Sequence, residues 1–519
     1  MNLSTADTIV FIAYFILVLL VGFGAAFYNK KKQTSKDYFF ADNTLPWWVI
    51  GSSIIAANIS AEQFIGMTGS GFAIGLGIAA YEWLGAIGLL VVAKFFLPIY
   101  LKNNIYTMPG FLEKRYDSRL RVSLAVFWLL VYWFVNLSSV FYLGALVLQG
   151  YLGLNLMQWI LVLALISGLY SVIGGLKAVA YTDVIQIIFL VAGGLMTTFF
   201  VLQAISDSND VFLGLKMMFE AAPEKFDLIL SKSDPNYKYL PGVSVILGGL
   251  WVANIAYFGC NQYIIQRSLA AKNINEAQKG MAFAAFLKLF IPLIVVLPGI
   301  AAFVLNAGID KPDEAYPWLL ANFIPSGFKG LAFAALIAAI VSSLSSMVTS
   351  ASTIFTFDIY KPIFNKTVND NKLVIVGRIM SAVSLIIAVI VAPMLSSLEQ
   401  AFQFIQNFTG MVTPGIVVVF IFGLFWKRAN ATAALWTVIL TIPVSVLLDV
   451  FVDNLPFLDR MGISFLILSA VLVVVSLIKK QESSDLIKID EGIYKTTTAF
   501  NVLTIIISAI LGVLYYTFW

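Results

Sequence analysis

Histidine is absent from this 519-residue chain, which removes the usual physiological-pH switch and the commonest metal ligand. A histidine proton relay is therefore excluded. Cysteine occurs once, as Cys260 in an apolar stretch, so the chain has no disulfide framework and no thiol metal cluster. Charge is scarce as well: Asp, Glu, Lys and Arg make up 12% of the residues while 60% are hydrophobic, against about 25% charged in an ordinary soluble domain. That balance nearly excludes a water-soluble fold. The net charge of +4 implies no nucleic-acid partner, and no segment points to an obligate protein partner.

What is there instead is a succession of apolar runs. A helix needs about 20 residues to cross the hydrocarbon core. Stretches that qualify lie near 8–27, 45–71, 78–101, 120–149, 155–174, 179–206, 241–268, 276–307, 327–360, 373–396, 399–424, 430–452, 460–479 and 498–518. The expected fold class is an all-α polytopic membrane protein of about fourteen transmembrane helices, with residues 1–519 forming one transport domain. The first run follows an acidic start and lacks a small-residue cleavage site, so it is expected to persist as a helix.

Basic residues test the count, because they should gather on alternate connections. Lys30, Lys31, Lys32 and Lys36 follow the first run, and Lys114, Arg115, Arg119 and Arg121 the third. Lys177 follows the fifth; Arg267, Lys272 and Lys279 follow the seventh. Lys361, Lys366, Lys427, Arg428, Lys479 and Lys495 continue the alternation. All these connections then face the cytoplasm, with both termini outside. The long connections 207–240 and 308–326 fall on the outer side, and neither reads as a separate domain.

Ala57-Asn58-Ile59 in the second run is echoed by Ala253-Asn254-Ile255 in the seventh. The echo suggests two five-helix units, 45–206 and 241–424, inverted because each holds an odd number of spans; residues 8–27 precede them and 430–519 add three helices. The stretch Ala56 to Gln63 puts four polar side chains at bilayer depth. Unwound backbone survives there only if it is buried in protein or lines an aqueous cavity.

Ala339, Ser342 and Ser343 share one helical face. Hydroxyls and freed carbonyls are hard oxygen ligands suited to an alkali cation, although serines on such a face also serve helix packing. Glu82 and Lys288 lie deep in apolar sequence, where a charge must meet protein or water; they can form a structural ion pair, contact a ligand, or both. With the amides of Asn58, Gln63, Asn254 and Gln406 they offer the mixed donors and acceptors that sugar hydroxyls need. Tyr81, Tyr257, Phe258 and Phe402 neighbour these positions and can pack or gate. Asp183 can guide a cation inward or cap the helix after Thr182.

Gly174-Gly175-Leu176-Lys177-Ala178-Val179 followed by Thr182-Asp183 and Gln186 resembles one signature of the sodium/solute symporter family. Gly330 to Ala335 leading to Ser342-Ser343-Leu344-Ser345-Ser346 resembles the other. Ala56 to Gly71 and Asn261 to Ala271 are similar to the bacterial sodium/galactose (sodium/glucose-type) branch in particular. The resemblance implies a leucine-transporter-like core of ten helices in two inverted repeats. It also implies Na⁺ ligation by carbonyls of Ala56, Ile59 and Ala339 and hydroxyls of Ser342 and Ser343, with Asp183 on the ion's exit path. Gln63, Glu82, Asn254, Lys288 and Gln406 would bind sugar, and Asn58 would join the broken helix to that site. Tyr257 would stack beneath the sugar as inner gate, and Met67, Tyr81 and Phe402 would cover it from outside. Gly85 stands where that branch carries a serine, and Phe258 where it carries a tryptophan.

The function these readings imply is a secondary active symporter, not an enzyme, that takes up a hexose with one Na⁺ per sugar by alternating access in a bacterial inner membrane. Its coupling ion is Na⁺, with no organic cofactor. An alternative is a Na⁺-coupled symporter of a carboxylated solute such as an amino acid, sialic acid or pantothenate, which should show a midspan arginine or a helix N-terminus for the carboxylate. No such arginine is evident. A sugar-binding membrane sensor would call for a signalling domain, and an enzyme for a nucleophile and base pair, and neither is seen.

Overall fold

The computed structural model describes residues 4–27, 34–397, 401–452, 454–479, 487 and 489–519. Among these no strand forms, and the sole pairing of extended backbone is an isolated bridge between Leu45 and Ala271. Eleven helical runs are long and apolar enough to cross a membrane. One of them, Leu156–Ser206, is 51 residues long, and at about 1.5 Å per residue a straight helix of that length would overshoot any bilayer. It is two spans.

Gly175, with φ 63° and ψ −157°, turns the chain back between them. Gln186 donates to the Tyr170 hydroxyl at 3.3 Å, a contact impossible for residues 16 apart on one straight helix. A side chain at 175 is barred twice over, by the positive φ and by the Tyr38 carbonyl, which a Cβ would meet at 2.2 Å. Two further spans are interrupted and so escape a test of continuous length: Trp47–Asn58 with Thr68–Ala73, and Gly249–Ile255 with Gln262–Leu269. The eleven long runs, the division at Gly175 and these two broken spans recover the expected number.

Local chemistry sets many of the boundaries. Asn155 and Gln158 form a reciprocal capping box, each side chain accepting from the other's backbone N–H at 2.9 Å. Asp117 receives the N–H groups of Arg119 and Leu120, Asn369 that of Lys372, and Asn430 that of Ala433. The helix Ile274–Lys288 stops just before Pro292, which opens the next helix, Ile291–Val304.

Burial sorts the helices by role. The most apolar stretch of Lys329–Phe364 is 94% buried, whereas that of Thr498–Thr517 is 17% buried, so the former is the central post and the latter faces lipid. Thr5–Phe27, Ala431–Phe451 and Phe457–Ile478 share the lipid-facing character. The two broken spans pack in matching ways on the core: Trp47–Asn58 lies against Ile274–Lys288, and Gly249–Ile255 against Ala80–Val91.

The breaks do not coincide with the tripeptide echo. In the first span the chain leaves the helix immediately after Asn58, but in the second it does so at Asn261, two turns beyond Asn254. Ala57-Asn58-Ile59 and Ala253-Asn254-Ile255 are therefore not structurally equivalent positions.

Candidate functional site

At the first break, Ile59 takes an extended conformation (φ −81°, ψ 103°). The Ser60 N–H, which a continued helix would spend on the Ala56 carbonyl, donates instead to Gln63 Oε1 at 2.9 Å. The Ser60 hydroxyl donates to the same oxygen at 2.9 Å. One side chain thus compensates the interruption, and carbonyls at the end of Trp47–Asn58 are released from helical duty.

Charge enters the site where helix ends favour it. Glu82 lies in the first turn of Ala80–Val91 and Lys288 in the last turn of Ile274–Lys288, so each complements the partial charge of its own helix terminus. The two meet as a buried ion pair. Lys288 Nζ also donates to Asn58 Oδ1 at 2.6 Å, and Asn58 Nδ2 donates to the Tyr257 hydroxyl at 3.2 Å. The Lys288 ammonium sits 5.3 Å from the centre of the Phe258 ring. Four segments distant in sequence are locked together at one point.

That point borders a cavity of about 760 Å³. Asn58, Gln63, Met67, Tyr81, Glu82, Asn254, Tyr257 and Lys288, all expected to form the solute site, line it. Asn254 Nδ2 is buried and has no partner among the described residues. The expectations for Gln406 and Phe402 fall on side chains outside the described residues. Exposed Asp310, Lys311 and Pro312 of the connection 308–326 line it at the protein surface, and buried Trp128, Asn261, Tyr263 and Met347 line it in the interior.

The expected ion ligands lie together behind the break. Ala56, Ile59, Ala339, Ser342 and Ser343 are all buried. Ser343 Oγ donates to the Ala57 carbonyl at 3.0 Å, which presses the central helix onto the released carbonyls. Carbonyl and hydroxyl oxygens without a thiolate or imidazole make a donor set that fits an alkali cation. No cluster of carboxylates or cysteines able to hold a transition metal occurs among the described residues.

Asp183 is fully buried and accepts from Ser342 Oγ and Ser53 Oγ, both at 2.5 Å. The capping role weighed for it does not hold, because its helix resumes just after Gly175, two turns earlier. Arg267 also departs from expectation. Counted with the cytoplasmic loops, it is in fact 0% exposed, with its guanidinium 3.6 Å from Asp183 and bonded to Ser53, Ser346 and the Tyr263 carbonyl. It is a deep arginine, yet it does not line the cavity.

Sequence reasoning missed Arg267, Ser53 and Ser346 in this network. The sequence signal available was a lone Arg in the polar run Asn261 to Ser268, directly after an apolar stretch. The cavity-lining Trp128, Asn136 and Asn261 were missed too: Trp128 and Asn136 are single polar side chains in a largely apolar span with no motif of their own, and Asn261 was quoted only as part of a resemblance.

Comparison with known proteins places this geometry in context. Residues 38–441 match the profile of the Sodium:solute symporter family. The chain is 49% identical to a sodium/glucose cotransporter of Vibrio parahaemolyticus over 540 aligned positions, covering 100% of this chain and 99% of that one. It is 34% identical to a human sodium/myo-inositol cotransporter 2, over 84% of this chain and 69% of the relative. Among solved structures it resembles a substrate-bound, outward-open Na⁺-coupled sialic acid symporter, with TM-score 0.81, 23% identity and coverage of 93% and 99%. A nucleobase-cation-symport-1 family transporter in a closed conformation matches at TM-score 0.57 and 13% identity, covering 88% and 96%.

Proposed function

The chain belongs to the sodium:solute symporter family, and from that premise we propose that it carries a hexose of glucose or galactose type inward together with one Na⁺ per sugar, by alternating access. The observation that supports a neutral polyhydroxyl solute is the charge balance of the site. Lys288 is matched by Glu82, and Arg267, another buried cation, is matched by Asp183 and lies off the cavity. A carboxylated solute would need an unmatched cation there. The amides of Gln63 and Asn254, with the ion pair, provide donors and acceptors for hydroxyls. The sodium/glucose cotransporter to which the chain is 49% identical is in keeping with this reading.

The same break carries both halves of the coupling. Na⁺ held by carbonyls of Ala56, Ile59 and Ala339 and hydroxyls of Ser342 and Ser343 steadies the end of Trp47–Asn58. Asn58, the last residue of that helix, then fixes Lys288 and Tyr257 beneath the sugar. Gln63, Glu82, Asn254, Lys288 and Gln406 bind the solute; Tyr257 gates it inward, Met67, Tyr81 and Phe402 outward, and Asp183 leads the ion out. The cavity lining at 310–313 belongs to the outer face, with both termini outside a bacterial inner membrane. The units 45–206 and 241–424 act as inverted repeats, in keeping with the matched packing of the two broken spans. One charge crossing the field is worth about 2.3 kcal/mol per 100 mV, enough at that potential for roughly fiftyfold accumulation.

Uptake of radiolabelled hexoses into proteoliposomes with and without an inward Na⁺ gradient tests the proposal. Gradient-dependent glucose or galactose entry is expected. Entry indifferent to Na⁺, or driven uptake of carboxylated solutes alone, refutes it.

A further inference from the structure

The buried part of the cavity wall holds polar atoms that the proposed solute site does not use. Trp128, Val131 and Asn136 all line it. With Tyr132 they lie at i, i+3, i+4 and i+8 of one span, so they share a face. The Trp128 side chain is 7% exposed, and its Nε1–H has no acceptor among the described residues. Asn136 Oδ1 is buried without a donor among the described residues. Asn261, which also lines the cavity, uses its carbonyl oxygen to accept from Tyr132 at 2.5 Å, and its amide nitrogen can only donate.

Aromatic rings connect this part of the wall to the Tyr257 gate. Trp128 stacks on Tyr132 with centroids 5.7 Å apart, Tyr132 meets Tyr263 edge-on at 6.0 Å, and Tyr263 meets Tyr257 edge-on at 5.7 Å. The Tyr263 hydroxyl donates to that of Tyr257 at 2.5 Å. A buried polar group left without a partner is costly, so two of them lining one cavity mark a place where something polar is received. An indole N–H only donates and a carbonyl oxygen only accepts, whereas a hydroxyl does both. The aromatic faces suit the apolar face of a sugar ring.

We infer that Trp128, Asn136 and Asn261 form a second sugar-holding station in the buried part of the cavity, reached after the solute has passed Tyr257. This rests on the sugar reading above. The station takes hydroxyls from sugar leaving the upper site and is the first to engage sugar arriving from the opposite side. Water alone could satisfy the same atoms, and the experiment separates the two.

The test uses Trp128→Phe, which keeps the ring on Tyr132 but removes the N–H, and Asn136→Ala. Full-length wild type and variants are compared for equilibrium Na⁺-dependent binding of radiolabelled glucose, and in sided vesicles for KM of uptake and of efflux. Expected are binding and uptake KM within about twofold of wild type, and efflux KM raised about two- to tenfold per lost hydrogen bond. Maximal uptake falls in proportion, because the overall equilibrium is unchanged. Wild-type efflux KM in both variants means the atoms hold only water and overturns the station. Equal losses in binding and efflux overturn it too, by assigning the residues to the upper site. A wild-type protein that binds no glucose removes the sugar reading, and the station with it, which is a distinct result. Should Trp128→Phe fail to fold, Asn136→Ala carries the same comparison.

Discussion

Gly85 offers the sharpest perturbation of the solute site. A Cβ placed there would meet Lys288 Cε at 2.8 Å, Asn254 Oδ1 at 3.1 Å and Phe258 Cε2 at 3.3 Å. The first distance is shorter than carbon atoms tolerate, so something must move. Lys288 is the part that can yield, but its ammonium is held by Glu82 and Asn58, and displacing the stem disturbs both. Overpacking of this kind costs about 1–3 kcal/mol. The atom to be displaced belongs to a flexible chain, which places the cost near the lower end, and at about 1.4 kcal/mol per decade that is a five- to tenfold change in apparent affinity. Gly85→Ala should therefore raise the hexose KM by about that factor while melting remains close to wild type. Gly85→Ser adds a hydroxyl within reach of the solute and should shift the ratio of glucose to galactose KM beyond what Gly85→Ala does. Initial-rate uptake in proteoliposomes at saturating Na⁺ measures both. Unchanged KM in Gly85→Ala would show that the space around Lys288 is not limiting. An unchanged sugar ratio in Gly85→Ser would show that position 85 plays no part in selectivity.

Lys288→Ala should abolish uptake and, by leaving Glu82 buried without its partner, destabilise the protein by about 3–5 kcal/mol. Adding Glu82→Ala should restore much of the thermal stability but no transport, and a double variant that melts as low as the single one contradicts the pairing argument. Ser343→Ala removes one hydroxyl ligand and the bond to the Ala57 carbonyl, so half-saturation by Na⁺ should rise about two- to tenfold with a smaller effect at saturating Na⁺. An unaltered Na⁺ dependence would take Ser343 out of the ion site. Gly175→Ala forces a side chain into positive φ and onto the Tyr38 carbonyl, and should cost more than about 1 kcal/mol in thermal unfolding. A wild-type melting temperature would mean that the turn relaxes without penalty.

Much of the candidate site was legible before any fold was known, because intramembrane polarity is rare and expensive. Glu82, Lys288, Asn58 and Gln63 stand out against apolar neighbours for that reason. Arg267 was misread since its flanking residues are those of a loop, and what buries it is the approach of Ser53, Asp183 and Ser346 from three other segments. Trp128 and Asn136 were invisible for the opposite reason. A single indole or amide in an aromatic-rich chain is ordinary until its lack of a partner is seen in three dimensions.

By itself the sequence determined that this chain lives in a bilayer, where its spans begin and end, and which residue types could serve an ion and a polar solute. Those properties follow from the transfer free energy of successive residues and from caps a few residues long, and both are local. Tertiary structure alone decided which polar groups meet. The ion pair Lys288–Glu82 joins residues 206 positions apart, and the bond from Ser342 to Asp183 joins residues 159 apart. No local pattern encodes such distances, since they depend on how broken and continuous helices dock. Docking also left Trp128 Nε1 and Asn136 Oδ1, on the cavity wall, without partners among the described residues.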